Sequence, residues 1–312
     1  MALIPQPILV NGAEHSAQTF RLLVKDLSRG AEGITEGPDL KVTQLGTPGA
    51  AVQVASGTGV IRGRVNVFQG SYSFANLAAT SVDIAATGGS PRSDLLIVRI
   101  EDPDYEGTLD PAVDPIVYFQ VIPNVSPSAT TIPDGRTGIP LARIDIPANT
   151  ATITDAYIKD VRKIANARRD RNLYPQSPTS ISNEVGGTTP TYTNLTTAPG
   201  WPIPVPTWAS TAKIKIDTGQ IRYSSGNFTG VMRATFGSSL TVQNILLDDN
   251  QGGGIRRATV TMADNLTIPD AYRGTTQTLR VQVGGAPGNA GLVSVDSATT
   301  LIADVEFFEA PR

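Results

Sequence analysis

The sequence contains no cysteine and a single histidine, His15. Without cysteine there is no disulfide framework, no thiolate nucleophile and no cysteine-ligated zinc or iron–sulfur cluster. A lone histidine also excludes a cluster of histidine metal ligands and leaves one candidate for a Ser-His-Asp relay, which we interpret as a surface residue at a helix start. We therefore predict no enzyme activity, no catalytic residue, no bound metal and no cofactor.

Charged and aromatic residues are also scarce, at 17% and 6% of 312 residues, and the net charge is −3. Neither half of the chain has the basic excess expected of a nucleic-acid-binding protein. Residues 1–10 lack a charged segment and contain two prolines, unlike a secretory signal, and no apolar run approaches the ~18 residues of a membrane span. We expect a soluble chain without an export signal that binds no nucleic acid and enters no membrane.

One amphipathic helix is predicted near the amino terminus. Ser16 is placed to accept the first free backbone N–H groups, and Gly30 ends the pattern. Apolar residues recur at positions i, i+3, i+4 and i+7 and form one stripe: Phe20, Leu23, Val24 and Leu27. A helix of about three turns needs a partner for such a stripe, so we expect it to lie on a sheet.

Short segments rich in β-branched residues follow, separated by glycine, proline, asparagine or aspartate. They are Leu40–Leu45, Ala51–Ala55, Gly59–Val67, Leu95–Ile100, Pro115–Ile122 and Ile139–Ile146. Strands without intervening helical periods favour an antiparallel sandwich or barrel. We predict a β-rich amino-terminal domain over residues 1–153.

The segment 154–171 has a helical pattern that begins with Thr154 and Asp155. We predict a connecting helix there. Its apolar face comprises Ile158, Val161, Ile164 and Ala165. This face could pack on its own sheet or meet its copies around a symmetry axis as an oligomer seam, and the sequence leaves both alternatives open.

Residues 172–194 are rich in proline, serine and threonine, which predicts an extended linker between domains. Strand patterns return over residues 195–312, where eight or nine segments occur and several alternate with a period of two. We predict a jelly-roll-like β-sandwich in this carboxy-terminal domain. The fold class of the whole chain is accordingly mainly β.

Two acidic clusters have competing interpretations. Asp102, Asp104 and Glu106 alternate as in the opening of a calcium loop, but Val113 stands where a bidentate glutamate should close it, which favours an acidic hairpin loop. Asp248 and Asp249 could be paired carboxylates for acid–base catalysis. With the neighbouring asparagine and glycines they are more typical of a turn between strands.

Few aromatic side chains of the second half could stack on sugar rings. The candidate glycan contacts are Trp201, Trp208 and Tyr223, with Tyr192 in the same domain. The alternative for Trp201, which is followed by three nearby prolines, is that it anchors the entrance of the domain or a subunit contact.

The order of segments in the first 170 residues resembles the amino-terminal domain of minor tail and baseplate proteins of long-tailed bacteriophages, especially those of actinobacteria. The segments that carry the resemblance are Glu36–Val42, Thr47–Val54, Gly57–Gly63, Gly70–Tyr72, Pro91–Ile100, Pro140–Pro147 and Ile153–Arg162. The resemblance implies a virion structural component, commonly a homotrimer. Its first domain would dock on the tail tip and its second would project toward the host envelope.

We therefore expect a structural component of a phage tail tip, made in the host cytoplasm and located in the virion. Its expected partners are copies of itself, other tail-tip proteins and host surface polysaccharide. Two alternatives remain open from the residues: a dedicated carbohydrate-recognition module, and a glycan-depolymerising tail enzyme that uses Asp248 or Asp249 with another acid.

Overall fold

The computed structural model describes residue 4 and residues 10–182, 184–196 and 200–312. The chain forms two compact units, Met1–Ala167 with Ala310–Arg312 and Arg168–Glu309. Both are built from antiparallel strands, so the predicted mainly-β fold class is confirmed. Among the described residues, the α-helix α1 (Ala17–Leu27) has 11 residues, and no helix is long and apolar enough to cross a membrane.

The described residues of the first unit form ten strands in three antiparallel sheets. The strands are β1 (Gly33–Ile34), β2 (Val42–Gln44), β3 (Ala51–Val54), β4 (Gly57–Arg62), β5 (Ser71–Asn76), β6 (Thr80–Asp83), β7 (Arg92–Ile100), β8 (Val117–Ile122), β9 (Gly138–Ile146) and β10 (Ile158–Asp160). The sheet orders are β1-β4-β5, β2-β3-β6 and β10-β9-β7-β8. β7 is a central strand, and it is buried along most of its length because its sequence is apolar on both faces.

The helix predicted over residues 154–171 is not formed, and that prediction is wrong. A short 3-10 turn (Asp155–Tyr157) leads into β10, which pairs with β9 and places Ile158 opposite Ile144. The reason is that β9 presents a free edge here, and the β-branched residues that fit one helix face fit a strand as well. After the strand, the backbone of Ala165 donates to Ile34.

The oligomer seam stays a prediction, although its four half-buried residues also make contacts within the first unit. Ile158 and Ile164 pack on the unit's core, and the backbone N–H groups of Val161 and Ala165 bond to other strands of the same unit. The packing of this segment on its own sheet is observed, although as a strand and not as a helix.

The predicted linker over 172–194 also belongs to a folded unit, the second one. β11 (Arg169–Gln176) pairs along eight residues with the last strand of the chain, and Val185 bridges to Val293. The boundary between the units accordingly lies at residues 167 and 168 and not at a linker. Proline and threonine are compatible with edge strands, which is why composition alone indicated an extended linker.

The second unit contains two sheets that form a β-sandwich around one core. After β11 its strands are β12 (Thr193–Asn194), β13 (Trp201–Pro204), β14 (Thr211–Ser225), β15 (Phe228–Phe236), β16 (Leu240–Asp249), β17 (Arg256–Thr267), β18 (Thr276–Gly285), β19 (Gly291–Ser294) and β20 (Thr300–Phe308). One sheet has the order β11-β20-β14-β17, with β19 beside β14. The other has the order β12-β18-β15-β16, with β13 beside β18.

This strand order is that of a jelly roll. β12 and β13 both pair with β18 and count as one position, and β19 is a short addition beside β14. The first, third, sixth and last strands then share one sheet, and the second, fourth, fifth and seventh share the other. Burial follows the period of two expected of a sandwich: every second residue of β15 from Phe228 to Phe236 is buried, while the residues that alternate with them are partly exposed. The predicted jelly-roll-like sandwich is confirmed.

The last three residues return to the first unit, where Arg162 holds them. The backbone of Arg312 donates to the carbonyl of Gly37 at 3.0 Å, and Arg162 donates to the Arg312 carbonyl at 3.2 Å. The side chain of Arg162 is fully buried and also bonds to the carbonyls of Gly37 and Asp39 and to the carboxylate of Asp160. One guanidinium thus joins three chain segments of the first unit.

We predict that Arg162→Ala destabilises the first unit by about 2–4 kcal/mol, because buried carbonyls and Asp160 lose their donor. Far-UV circular dichroism during heating records the unfolding of both units. Tryptophan fluorescence records the unfolding of the second unit alone, because that unit holds both tryptophans. The control is Arg64→Ala, which removes a more exposed pair with Glu32 worth about 0–1 kcal/mol. Equal midpoints for the two variants would contradict this role of Arg162.

Candidate functional site

The helix α1 contacts the first unit through its polar face. Gln18, Arg21 and Lys25 donate to three successive backbone carbonyls, those of residues 67–69, at 2.8–3.2 Å. These three side chains stand at i, i+3 and i+7, so they share one face of the helix. The loop between β4 and β5 therefore binds the helix through a row of backbone carbonyl groups.

Arg21 is the centre of this contact. Its guanidinium lies 3.3 Å from the carboxylate of Asp102, and the two side chains are only 11% and 9% exposed. It also lies over the rings of Tyr72 and Tyr105, 5.5 and 5.2 Å from their centroids. A charge of this burial needs such partners, because an unpaired buried charge costs several kcal/mol.

Asp102 is further fixed by the hydroxyl of Tyr72, which donates to it at 2.7 Å. Burial and this hydrogen bond raise the pKa of Tyr72 above its usual value, so the phenol remains a proton donor. The neighbouring Glu106 accepts from the backbone of Thr137 at 3.3 Å. The acidic cluster at residues 102–106 thus makes contacts within the protein, and no group of three acidic or histidine side chains in the described ranges could hold a metal ion.

The apolar stripe of α1 consequently faces away from the unit. At 100° per residue it is centred about half a turn from the bonded face. Phe20 and Leu27 are 48% and 73% exposed, Leu23 and Val24 are half-buried, and no residue of the helix is fully buried. The prediction that the stripe lies on a sheet is wrong, because the ion pair of Arg21 and the row of carbonyls determine the orientation of the helix.

Gly70 allows this close approach. Its φ is +81°, and a Cβ atom there would lie 2.6 Å from the backbone carbonyl carbon of Arg21. Only glycine fits both the left-handed conformation and the space between loop and helix.

In the second unit, Tyr223, Asp248 and Asp249 come together around a cleft of about 450 Å³. It lies where β16 ends and β17 begins, and Arg256 and Arg257 complete its charged lining. The sequence singled out the tyrosine and the aspartates for different reasons and gave no signal that they would meet.

The charges of the cleft are largely paired. Asp249 accepts from Arg256 with an Nε–Oδ2 distance of 2.8 Å, and the two side chains are only 10% and 11% exposed. Arg257 pairs with Asp296 at 2.7 Å. Asp248 is exposed and adjacent to Asp249 on the same strand, so the two carboxylates project to opposite faces. They do not aim at a common point as a pair for acid–base catalysis would.

Two of the three candidate sugar contacts lie in the core, and the structure contradicts them as stacking platforms. Trp201 is 3% exposed, and the alternation of β13 turns it and Ile203 inward while the prolines face out. Tyr223 is 4% exposed, with its ring centroid 5.8 Å from that of Phe228. The alternative interpretation of Trp201 as an anchor of its domain agrees with its place in the core.

Trp208 is half-buried, and the guanidinium of Arg168 lies over its ring at 5.5 Å from the centroid. Arg168 is itself held by the buried carboxylate of Glu309, which accepts from its Nε at 2.9 Å. A sugar contact at Trp208 stays a prediction.

The burial of Tyr223 at the cleft predicts how the stability of the second unit depends on pH. An ordinary tyrosine has a pKa of about 10, and burial together with the charge of Asp249 raises the pKa of Tyr223 to about 12. The unfolded chain therefore loses this proton first, so the stabilising contribution is complete below pH ~10 and is lost as the pH rises toward 12. In Tyr223→Phe, we expect the unfolding midpoint to fall less steeply over this range than in the unsubstituted chain.

Thermal unfolding at a series of pH values measures this difference, and the other tyrosines are common to both proteins. Curves that stay parallel from neutral pH to about pH 11.5 would show that Tyr223 does not carry the raised pKa.

No protein-family model matches the chain, and no curated protein matches it. Solved structures that align with it include that of infectious bursal disease virus Gx strain, with 12% identity over 91% of this chain and 76% of that chain and a TM-score of 0.25. The structure of the infectious bursal disease virus VP2 subviral particle aligns with 13% identity over 89% of this chain and 78% of that chain, and the TM-score is 0.25. The Bacillus thuringiensis insecticidal crystal protein Cry7Ca1 aligns with 10% identity over 91% of this chain and 56% of that chain, and the TM-score is 0.14. Alignments with TM-scores this low do not establish a shared fold.

Proposed function

We propose that the chain is a structural component of a phage tail tip that assembles with copies of itself and with other tail-tip proteins. One observation carries the proposal: all seven segments that resemble tail and baseplate proteins lie in the first unit. They include β3, β4, β7, β9 and β10, and thus strands from all three sheets of that unit. In this proposal the first unit is the part that docks on the tail.

The second unit would be the part presented toward the host. Jelly rolls occur in viral capsid and lectin domains, where loops at the ends of a rigid sandwich meet a partner. The outer face of the sheet that contains β11, β20 and β14 carries ion pairs such as Arg171 with Asp304 and Lys215 with Asp217. Such a face is typical of a surface in water, which leaves the loops as the candidate contact region.

We propose that the protein acts by binding and not by catalysis. The candidate carboxylate Asp249 is already used in an ion pair, and Asp248 stands on the other side of the strand. An acid–base mechanism needs two carboxyl groups that flank one bond.

A carbohydrate-binding role is the second candidate, and the cleft favours it. Asn250 and Gln251 are exposed at its rim, and their side chains offer donors and acceptors for sugar hydroxyls. Trp208 adds a half-exposed aromatic surface elsewhere on the same unit. Binding to a glycan array by the unsubstituted chain and not by an Asn250→Ala variant would support this role.

The test of the tail-tip proposal is the position of the chain in an electron-microscopy map of the whole virion. We expect density at the tail tip that fits both units, and a mass in solution near three times 32.8 kDa by light scattering, as the resemblance implies. A chain that is absent from purified particles, or a monodisperse monomer that turns over a substrate, would contradict the proposal.

A further inference from the structure

The described residues of the first unit leave an apolar surface exposed at α1. The stripe is at the outer side of the helix, and Phe20 and Leu27 are its most exposed members. Exposed apolar surface of this kind can mark an interaction site in soluble proteins. On the other side of the helix, the loop that holds it also exposes Val67 and Phe68, at 64% and 66%.

We propose that α1 pairs in antiparallel orientation with α1 of a second copy of this chain, across a two-fold axis. The proposal deepens the proposed function, on whose self-association it rests. A two-fold contact cannot close a three-fold ring, so in this proposal the α1 pair joins copies that belong to different trimers. The occupant is another α1 because the stripe is complementary to itself. Its residues are symmetric about the midpoint between Leu23 and Val24, so that Phe20 lies opposite Leu27 of the other copy.

The charges around the stripe favour the antiparallel arrangement. Glu14 precedes the helix and Arg29 follows it, and both are exposed. Antiparallel packing brings these opposite charges to the same end and opposes the two helix dipoles. It also places Asp26 of one copy beside Thr19 of the other, where the hydroxyl can donate to the carboxylate. Parallel packing would instead align the two helix dipoles and bring like charges to each end.

The area of the contact sets its strength. A stable interface buries about 800 Å² on each partner, and one helix of 11 residues supplies about half of that. The pair is therefore weak between free chains, and it forms fully where other contacts of an assembly raise the local concentration. A method that traps the contact is the appropriate test.

The absence of cysteine from the chain makes disulfide trapping specific. The variants are Val24→Cys, Phe20→Cys and Leu27→Cys in the full-length chain, with Leu77→Cys as the control because Leu77 is 90% exposed in the same unit and away from the stripe. Disulfide dimers that form under a mild oxidant are quantified on non-reducing gels.

For the antiparallel pair we expect Val24→Cys, next to the two-fold axis, to dimerise at least about tenfold faster than Leu77→Cys. Phe20→Cys and Leu27→Cys should each dimerise slowly alone and form a mixed disulfide about tenfold faster when combined. Circular dichroism confirms that each variant is folded.

Two results would overturn the proposal. If Phe20→Cys and Leu27→Cys each dimerise rapidly alone, the helices pack in parallel. If the three stripe variants, alone and combined, react no faster than Leu77→Cys, copies do not meet at α1. The trapping result is separate from the tail-tip proposal, since a chain that forms the mixed disulfide but is absent from virions refutes the tail-tip role and not the pairing.

Discussion

The buried ion pair of Arg21 and Asp102 determines which face of α1 the first unit exposes to solvent. A guanidinium is charged at every accessible pH, so it can be buried only against a carboxylate and further acceptors. Asp102 and the hydroxyl of Tyr72 supply these on the unit, and removing one partner of such a pair costs about 3–5 kcal/mol. Because Arg21, Gln18 and Lys25 form the face of α1 away from the apolar stripe, satisfying them turns that stripe outward. Leaving Phe20 and Leu27 exposed forgoes roughly 1.5–3 kcal/mol each, which is of the same order as the cost of breaking the ion pair. The hydrogen bonds of Gln18 and Lys25 add to the polar side.

The second unit follows a different principle, since its shape depends on apolar alternation. Long strands such as β14 and β15 alternate buried and exposed residues and close one continuous core. Charges at its ends are neutralised locally, as Arg256 is by Asp249 and Arg257 by Asp296. A rigid sandwich with paired charges and polar loops suits a part that is recognised by shape. The tail-tip proposal combines this unit with a first unit that offers an apolar helix for association.

The sequence predicted the features that depend on local periodicity. The eleven-residue helix, six strands of the first unit (β2, β3, β4, β7, β8 and β9) and the jelly-roll character of the second unit follow from patterns of period 3.6 or two. No pattern in the sequence predicted β1, β5 and β6. The sequence-based predictions failed for segments whose structure depends on pairing with strands that are distant in the sequence. Residues 158–165 fit a helix face equally well, but the free edge of β9 recruits Ile158 as a strand residue. Residues 172–176 are polar enough for a linker, yet they pair with β20 from the far end of the chain. The outward stripe was missed because its cause, Asp102, is 81 residues away from Arg21 in sequence.

The central claim is that α1 is held by its polar face in the free chain. Cysteine substitution at each position from 17 to 27 except Arg21, whose replacement would remove the ion pair itself, followed by maleimide reaction rates at low protein concentration, tests it directly. The account predicts rates that rise and fall with the helical period, fastest at Leu27 and Phe20 and slowest at Gln18 and Lys25. The same period shifted by half a turn, with protection along the apolar stripe, would contradict it.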